Sequence, residues 1–161
     1  MKKIYFVRHA KSSWDNMELT DEERPLNQRG LKDAPKMSAF ISKKIKQPDI
    51  LITSSALRTH ETAKVFAKEF YQVPIKIESQ LYNASDFEWF SYLKNLNEDY
   101  SAVMMFGHNP ALTQIVNVFT ESNIFNIPTC GIASVSFKID SWKEILDTDG
   151  VLDFYHYPKG I

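Results

Sequence analysis

Short apolar runs alternate with longer segments of helical periodicity along most of the chain. The runs are rich in β-branched and aromatic residues, which is typical of buried strands. We predict strands at residues 4–7, 49–53, 74–78, 102–106 and 132–139, with residues 142–146 and 152–157 as antiparallel edge strands beside the last of these. The intervening segments predict helices at residues 27–44, 56–71, 86–96 and 110–119.

Local signals mark the ends of these helices. Asn27 is a suitable N-cap for the first helix, and Pro35 should kink or split that helix because proline removes a backbone donor. Ser54 or Ser55 is the expected cap of the second helix, and Pro110 suits the first turn of the fourth. This order of elements predicts an α/β fold: a three-layer α/β/α domain with a mostly parallel central sheet and antiparallel edge strands. We expect residues 1–161 to form it as a single domain.

Composition and charge exclude several classes of function. A chain of 161 residues with 43% hydrophobic side chains suits one folded domain and excludes a disordered protein. Its net charge of −1 argues against binding to nucleic acid or to a membrane surface. Cys130 is the only cysteine, which excludes an intrachain disulfide and a cysteine-based metal cage. The first apolar run is too short for a signal peptide or a membrane span, so we expect a cytoplasmic protein. We also expect it to be a monomer.

Arginine and histidine side chains follow three of the predicted strands. Arg8 and His9 come at the end of the first strand, Arg58 lies in the first turn of the helix after the second, and His108 follows the fourth. Because ligands bind beyond the carboxyl ends of strands in such sheets, we expect these four side chains to converge. Only four of the 19 basic residues are arginine, so arginine at this edge favours bidentate recognition of phosphate, which lysine cannot supply.

These four side chains together suit phosphoryl transfer. Either histidine alone would more often be a structural residue, but a neutral imidazole is a competent nucleophile and two arginines can stabilise phosphate oxygens. A divalent metal bound by the two histidines is disfavoured, since each arginine contact would cost about 4 kcal/mol per unit charge at a separation of ~4 Å and an effective dielectric of ~20. No string typical of a nucleotide-binding loop, zinc protease or serine hydrolase is present, and Cys130 lacks the arginine that a cysteine phosphatase needs six positions later. We expect no metal and no cofactor, and we interpret His60 and His156 as surface or packing residues.

Three short motifs surround the four side chains. They are Phe6-Val7-Arg8-His9-Ala10, Thr53-Ser54-Ser55-Ala56-Leu57-Arg58-Thr59 with Thr62-Ala63, and Gly107-His108-Asn109-Pro110. Together they resemble the signatures of the histidine phosphatase (phosphoglycerate mutase-like) superfamily. Arg24-Pro25-Leu26-Asn27 and Pro128-Thr129-Cys130-Gly131 are similar to strings of its small SixA-type phosphohistidine phosphatase group. The resemblance implies a phosphoglycerate mutase-like fold, His9 as a nucleophile that becomes phosphorylated, and a phosphate pocket formed by Arg8, Arg58 and His108, with Arg24 at its rim.

One departure from the superfamily bears on the substrate. Its mutases and broad phosphatases carry a carboxylic acid just after the third strand, where this chain has Asn83. An alkoxide leaving group needs a proton from that acid, whereas the nitrogen of a P–N bond is readily protonated. Asp21 and Asp86 are the acids that could substitute. The expected substrate is therefore a phosphohistidine, on a protein or in a small phosphoramidate. A small-molecule phosphomonoesterase or mutase and an inactive phosphate-binding regulatory module are the alternatives.

Overall fold

A six-stranded sheet with helices on both faces forms the centre of the computed structural model, which describes residues 1–161. The helices are α1 (Gln28–Ser42), α2 (Leu57–Ala67), α3 (Asp86–Lys94) and α4 (Ala111–Thr120). The strands are β1 (Lys2–Arg8), β2 (Ile50–Thr53), β3 (Ile75–Ile77), β4 (Ala102–Gly107), β5 (Ile132–Phe137) and β6 (Gly150–His156). In the order β3-β2-β4-β1-β5-β6, the first four strands are parallel and the last two join by antiparallel pairing. The predicted fold class is confirmed.

Alternate side chains of the central strands enter two different apolar cores. On β1, Ile4 and Phe6 belong to the core covered by α3 and α4, whereas Tyr5 and Val7 belong to the core covered by α1 and α2. Both faces of the strand are therefore buried, which explains why it is apolar at successive positions instead of alternating with polar residues. Packing on both faces fixes the position of β1 between the two layers of helices. Polar functional side chains can follow at its carboxyl end, where the apolar run stops.

The register between β1 and β4 determines where the candidate histidines lie. These strands are adjacent and parallel, and Arg8 is paired with Gly107. His9 and His108 are the next residues on each strand, so they leave the sheet side by side. On the other side of β4, β2 ends at Thr53 and leads into α2, which begins with Leu57 and Arg58.

Residues 142–146 do not form the predicted edge strand. Trp142–Asp147 is a 3₁₀ helix that begins at a capping box formed by Ser141 and Glu144. The indole of Trp142 is fully buried, and its N–H donates to the carbonyl of Tyr100 at 3.0 Å. The buried residues Trp142 and Ile145 are three positions apart, which places them on one side of a 3₁₀ helix, and β6 alone forms the antiparallel edge.

The helix ends follow the sequence signals only in part. Asn27 caps α1 as predicted, with its side-chain oxygen accepting from Gly30 N at 2.9 Å. The helix continues through Pro35, so the predicted split is wrong; the buried side chains of Ala34 and Met37 on either side of the proline pack into one core. The N-cap of α2 is Ala56, which makes no side-chain capping bond, so the prediction of Ser54 or Ser55 as the cap is wrong. None of the helices combines the length and apolar character needed to cross a membrane.

Gly30 allows the first turn of α1 to lie against the chain that leaves β1. A Cβ atom at this position would lie 2.2 Å from the carbonyl oxygen of Lys11 and 3.1 Å from its backbone nitrogen. The same carbonyl accepts a hydrogen bond from Asn27 N at 2.9 Å. Because the obstacle is backbone only two residues after His9, a side chain here could be accommodated only by moving the segment that carries the candidate nucleophile.

We predict that Gly30→Ala lowers the free energy of unfolding by about 1–3 kcal/mol, the usual effect of overpacking, although alanine is the better helix former. Urea unfolding checks this prediction. Gly160→Ala is the matched control, since its Cβ would meet only the flexible side chain of Tyr157, at 3.1 Å. Equal unfolding midpoints for wild type and Gly30→Ala would contradict the predicted clash.

Candidate active site

Two histidines from neighbouring strands lie at the centre of the candidate site. The ring centroids of His9 and His108 are 5.2 Å apart, with the ring planes at 52°. The predicted convergence of these two residues is therefore observed. Arg8 precedes His9 on β1, and Arg58 reaches the site from α2, where its Nη2 lies 3.5 Å from Nδ1 of His108.

His9 is held in one orientation and one tautomer. Its Nδ1 lies 2.7 Å from the carbonyl oxygen of Ala10, and a carbonyl can only accept, so the proton must be on Nδ1. Nε2 is then the nitrogen with a free lone pair. The backbone around the ring is tied down as well, since Ala10 N donates to the hydroxyl of Thr62 and Cys130 N donates to the carbonyl of His9.

Burial keeps the imidazole of His9 neutral. The residue is only 8% exposed, and loss of hydration lowers its pKa to about 3, with further lowering by the charges of His108, Arg58 and Arg8. At neutral pH the ring is therefore neutral, with its one proton on Nδ1 and none on Nε2, and this is the form required of a nucleophile. Two permanent cations, Arg8 and Arg58, act on the ring and can stabilise an anion at Nε2 without protonating it.

Arg8 and Arg58 are these cations, and different hydrogen-bond partners hold their guanidinium groups in place. Arg8 donates through Nη1 to the carbonyl of Ile127 at 2.9 Å, and its Nε is buried without a hydrogen-bond partner. Burial also lowers the pKa of Arg8, but a guanidinium starts so high that the charge is retained. Arg58 donates from Nη1 to the backbone carbonyl of Asp21 at 2.6 Å and from Nη2 to its carboxylate at 3.0 Å.

Asp21 joins three donors at the edge of the site and is unsuited to act as an acid. Its carboxylate accepts from Arg58, from Arg24 Nη1 at 3.0 Å and from the hydroxyl of Tyr82 at 2.5 Å. The Tyr82 bond, together with those from the two arginines, holds the pKa of Asp21 well below its usual range. The side chain therefore stays ionised at neutral pH, and the possibility that Asp21 replaces the missing acid is not supported.

Arg24 is buried inside the loop that precedes α1. It donates to the carbonyl of Ser13 at 2.9 Å and to the hydroxyl of Ser12 at 2.5 Å, and its guanidinium lies 3.2 Å above the ring of Trp14. Arg24 is connected to the site by its ion pair with Asp21. Its sequence-predicted contact with substrate stays a prediction, whereas its visible contacts organise the loop that carries Asp21.

Ser54 and Thr59 are site residues that the sequence reasoning missed. Ser54 was expected as a helix cap, yet its Oγ lies 2.7 Å from Nε2 of His108 and 2.7 Å from Oγ1 of Thr59. Ser54 directly follows β2, so the same strand-end rule that located His9 and His108 could have located it. Burial and the nearby Arg58 charge lower the pKa of His108 to about 4.

A cavity of about 410 Å³ opens beside His108. Two of the four candidates, Arg58 and His108, line this cavity, whereas Arg8 and His9 do not. Seven other polar residues line it: Asp21, Tyr82, Asn83, Ser85, Asp86, Asn109 and Gln114. A larger cavity, of about 730 Å³, lies between β3 and α3 and contains none of the four candidates. Size alone would favour the larger cavity, but the chemistry favours the smaller one. His60 and His156 lie outside both cavities, and His156 packs against Phe40 and Phe154.

Known proteins match both the sequence and the fold. The family model of the histidine phosphatase superfamily (branch 1) matches residues 4–89. An uncharacterized chloroplastic protein of Arabidopsis thaliana is 28% identical over 159 residues, which cover 92% of this chain and 72% of that protein. A proposed phosphohistidine phosphatase SixA from Agrobacterium tumefaciens superposes with a TM-score of 0.84 at 22% identity, covering 98% of each chain. A protein histidine phosphatase SixA in complex with tungstate gives 0.81 at 18% identity, covering 98% of this chain and 97% of that one. At these identities the structural matches concern the fold.

We predict that His9→Gln makes the fold less sensitive to acid. The unfolded chain binds a proton at this histidine near pH 6.5, whereas the folded chain binds it only near a pKa of about 3. Stability therefore falls as the pH falls below about 6.5, by about 2 kcal/mol from this group at about pH 5. Urea unfolding at about pH 7 and about pH 5 should show a loss smaller by that amount in the variant. Equal losses in both proteins would contradict the buried, neutral state of His9.

Proposed function

Because the chain belongs to the histidine phosphatase superfamily, we propose that it is a phosphatase that hydrolyses phosphohistidine, with His9 as its nucleophile. The observation that carries this proposal is the state of the His9 ring. Its Nδ1 proton is bound to the Ala10 carbonyl, its Nε2 lone pair is free, and burial keeps it neutral beside Arg8 and Arg58. A neutral nucleophile among fixed cations is what attack on an anionic phosphoryl group requires.

The reaction proceeds in two displacements on phosphorus. Nε2 of His9 forms a P–N bond while the P–N bond to the substrate's imidazole breaks, and that imidazole, protonated by solvent on its other ring nitrogen beforehand, departs as a neutral ring. Water then attacks the phosphorus of phospho-His9, which releases inorganic phosphate and restores the free lone pair. Arg8, Arg58 and His108 stabilise the charge on the equatorial oxygens in both steps. The residues supply all the charge that these steps require, so the proposal includes no metal or cofactor.

The groups around the mouth of the pocket favour a nitrogen leaving group. Asn83 stands where mutases and broad phosphatases of the superfamily carry an acid, and an amide cannot donate the proton that an alkoxide needs. Asp21 is held ionised by Tyr82, Arg58 and Arg24. Asp86 is the other acid that could substitute, and one of its carboxylate oxygens is occupied by a hydrogen bond from Phe87 N, at 2.8 Å, at the start of α3. A leaving imidazole has less need of an enzymatic acid, because its nitrogen is readily protonated.

The proposed substrate is a phosphorylated protein or a small phosphoramidate. The cavity beside His108 is bounded on one side by the short segment Tyr82 to Asp86, which leaves room for a side chain presented by another protein. The SixA proteins with a similar fold are named as phosphohistidine phosphatases, which supports the same substrate class. A cytoplasmic location, a monomeric state and the absence of nucleic-acid or membrane partners stay predictions from the sequence.

We predict that His9→Ala abolishes turnover, with a loss of at least about a thousandfold, because no other group can form the covalent intermediate. Incubation of wild type with a labelled phosphoramidate should give a phosphoenzyme that is labile in acid and stable in base. His60→Ala, which removes a histidine outside the pocket, is the matched control and should keep wild-type activity. Turnover by His9→Ala, or phosphoenzyme formation in that variant, would remove His9 from the proposed role.

A comparison of leaving groups tests the substrate class. We predict that kcat/KM for a phosphohistidine peptide exceeds that for phosphoglycerate by at least about a hundredfold, since general acid catalysis is worth about that much to an alkoxide. p-Nitrophenyl phosphate, whose leaving group needs no proton, should fall between them. A preference for phosphoglycerate would favour a small-molecule phosphomonoesterase or mutase. Tight phosphate binding with no turnover of any substrate would favour a regulatory module.

A further inference from the structure

A row of hydroxyl and carbonyl groups lies behind His108, on the side away from Arg58. Nε2 of His108 is 2.7 Å from Oγ of Ser54, which is 2.7 Å from Oγ1 of Thr59. Oγ1 of Thr59 is in turn 2.7 Å from the carbonyl oxygen of Ala56. Ser54 and Thr59 are completely buried, so solvent does not compete for these bonds.

Only one arrangement of hydrogens satisfies all three contacts. The Ala56 carbonyl can only accept, so the hydroxyl of Thr59 donates to it. Having used its single hydrogen, Thr59 must accept from Ser54, and Ser54 must then accept from His108. The proton of the neutral His108 ring is therefore on Nε2. Any other assignment leaves two oxygens, or an oxygen and a nitrogen, at 2.7 Å without a hydrogen between them.

The opposite side of the ring agrees with this assignment independently. Nδ1 of His108 lies 3.5 Å from Nη2 of Arg58, a group that can only donate. A hydrogen on Nδ1 would point at another N–H, whereas a lone pair there is attracted to it. The charged or titratable groups that face the ring are His9, Arg8, Arg58, Asp21 and Tyr82.

We propose that Ser54 and Thr59 are positioning residues that keep Nε2 of His108 protonated and confine proton exchange to Nδ1, on the phosphate side of the ring. This proposal rests on the proposed function for its catalytic meaning. The two histidines then have opposite tautomers: His9 presents Nε2 and His108 presents Nδ1. The free nitrogen of His9 attacks phosphorus, and the free nitrogen of His108 takes up the proton that a monoprotonated phosphoryl group brings in and then donates it in a hydrogen bond to the same phosphate oxygen.

The row of hydrogen bonds is best tested at Thr59, because Ser54 separates this residue from His108. Thr59→Val has nearly the same shape but cannot accept from Ser54, so the serine hydroxyl becomes free to donate to Nε2. The ring can then move its own proton to Nδ1, against Arg58. Thr59→Ser keeps the hydroxyl and should restore wild-type behaviour. Ser38→Ala removes another buried hydroxyl, on α1, and controls for stability effects alone.

The first measurement is the ring ¹⁵N shifts of His108 in the free, full-length protein at neutral pH. Wild type and Thr59→Ser should show a protonated Nε2 and a bare Nδ1, and Thr59→Val should show a mixture of the two tautomers. The second measurement is turnover of a phosphohistidine peptide. Thr59→Val should lower kcat by about tenfold, which is the loss of one charge-assisted hydrogen bond, with a smaller change in KM. Ser54→Ala should behave like Thr59→Val.

The outcomes separate the proposal from the function on which it rests. A protonated Nδ1 in the free wild-type protein would overturn the proposal, whatever the activity. Equal losses of kcat in Thr59→Val, Thr59→Ser and Ser38→Ala would also overturn it, because they would show a general structural effect. The expected tautomer in a protein that hydrolyses no phosphohistidine would support the hydrogen-bond chain and reject the proposed function.

Discussion

The pairing of β1 with β4 is the constraint on which the candidate site depends. Two parallel neighbours in register at Arg8 and Gly107 deliver His9 and His108 to the same place, with ring centroids 5.2 Å apart. A slip of one residue would turn every side chain of β1 to the opposite core, exchanging Phe6 for Val7. The packing of the two apolar cores therefore fixes the positions of the His9 and His108 rings, which belong to neither core.

Charge at the site is arranged so that both histidine rings are neutral in the free protein, while Arg58 is paired with Asp21 and Arg8 donates only to the carbonyl of Ile127. Burial disfavours an imidazolium at His9 and His108, and the guanidinium groups reinforce that effect. Asp21 compensates the charge of Arg58 and Arg24 from the rim without entering hydrogen-bond contact with either ring. A carboxylate between the histidines would raise their pKa values and reduce the free lone pair on His9. The position of Asp21 at the rim keeps the centre of the site cationic and the ring of His9 neutral.

The strand-end rule predicted much of the site because it depends on topology, which the sequence pattern expresses strongly. His9, His108 and Arg58 follow strands whose side chains are apolar on both faces, and such runs are easily recognised. The sequence could not show that Ser54 turns toward His108 rather than toward the helix that follows, because both uses satisfy a serine after a strand. Asp21 was identified from the sequence only as a possible acid, and its actual role as the partner of Arg58 and Tyr82 was hidden because those residues are distant in sequence. Residues 142–146 were misassigned because three apolar side chains in five residues are too few to distinguish a short 3₁₀ helix from a strand.

The antiparallel direction of β5 has a consequence for how this chain can change over evolutionary time. Because β5 runs opposite to β1, it brings its first residues to the active edge, and the segment before it supplies Ile127 O to Arg8 and Cys130 N to His9. The tip of that segment is different: Phe125 is completely exposed, while the Asn117 side chain anchors the backbone of Ile124 beside it. Mutations at the tip can accumulate without moving Arg8 or His9. The loop between α4 and β5 thus joins a segment held in place by hydrogen bonds to Arg8 and His9 to an exposed tip whose side chain is free to vary.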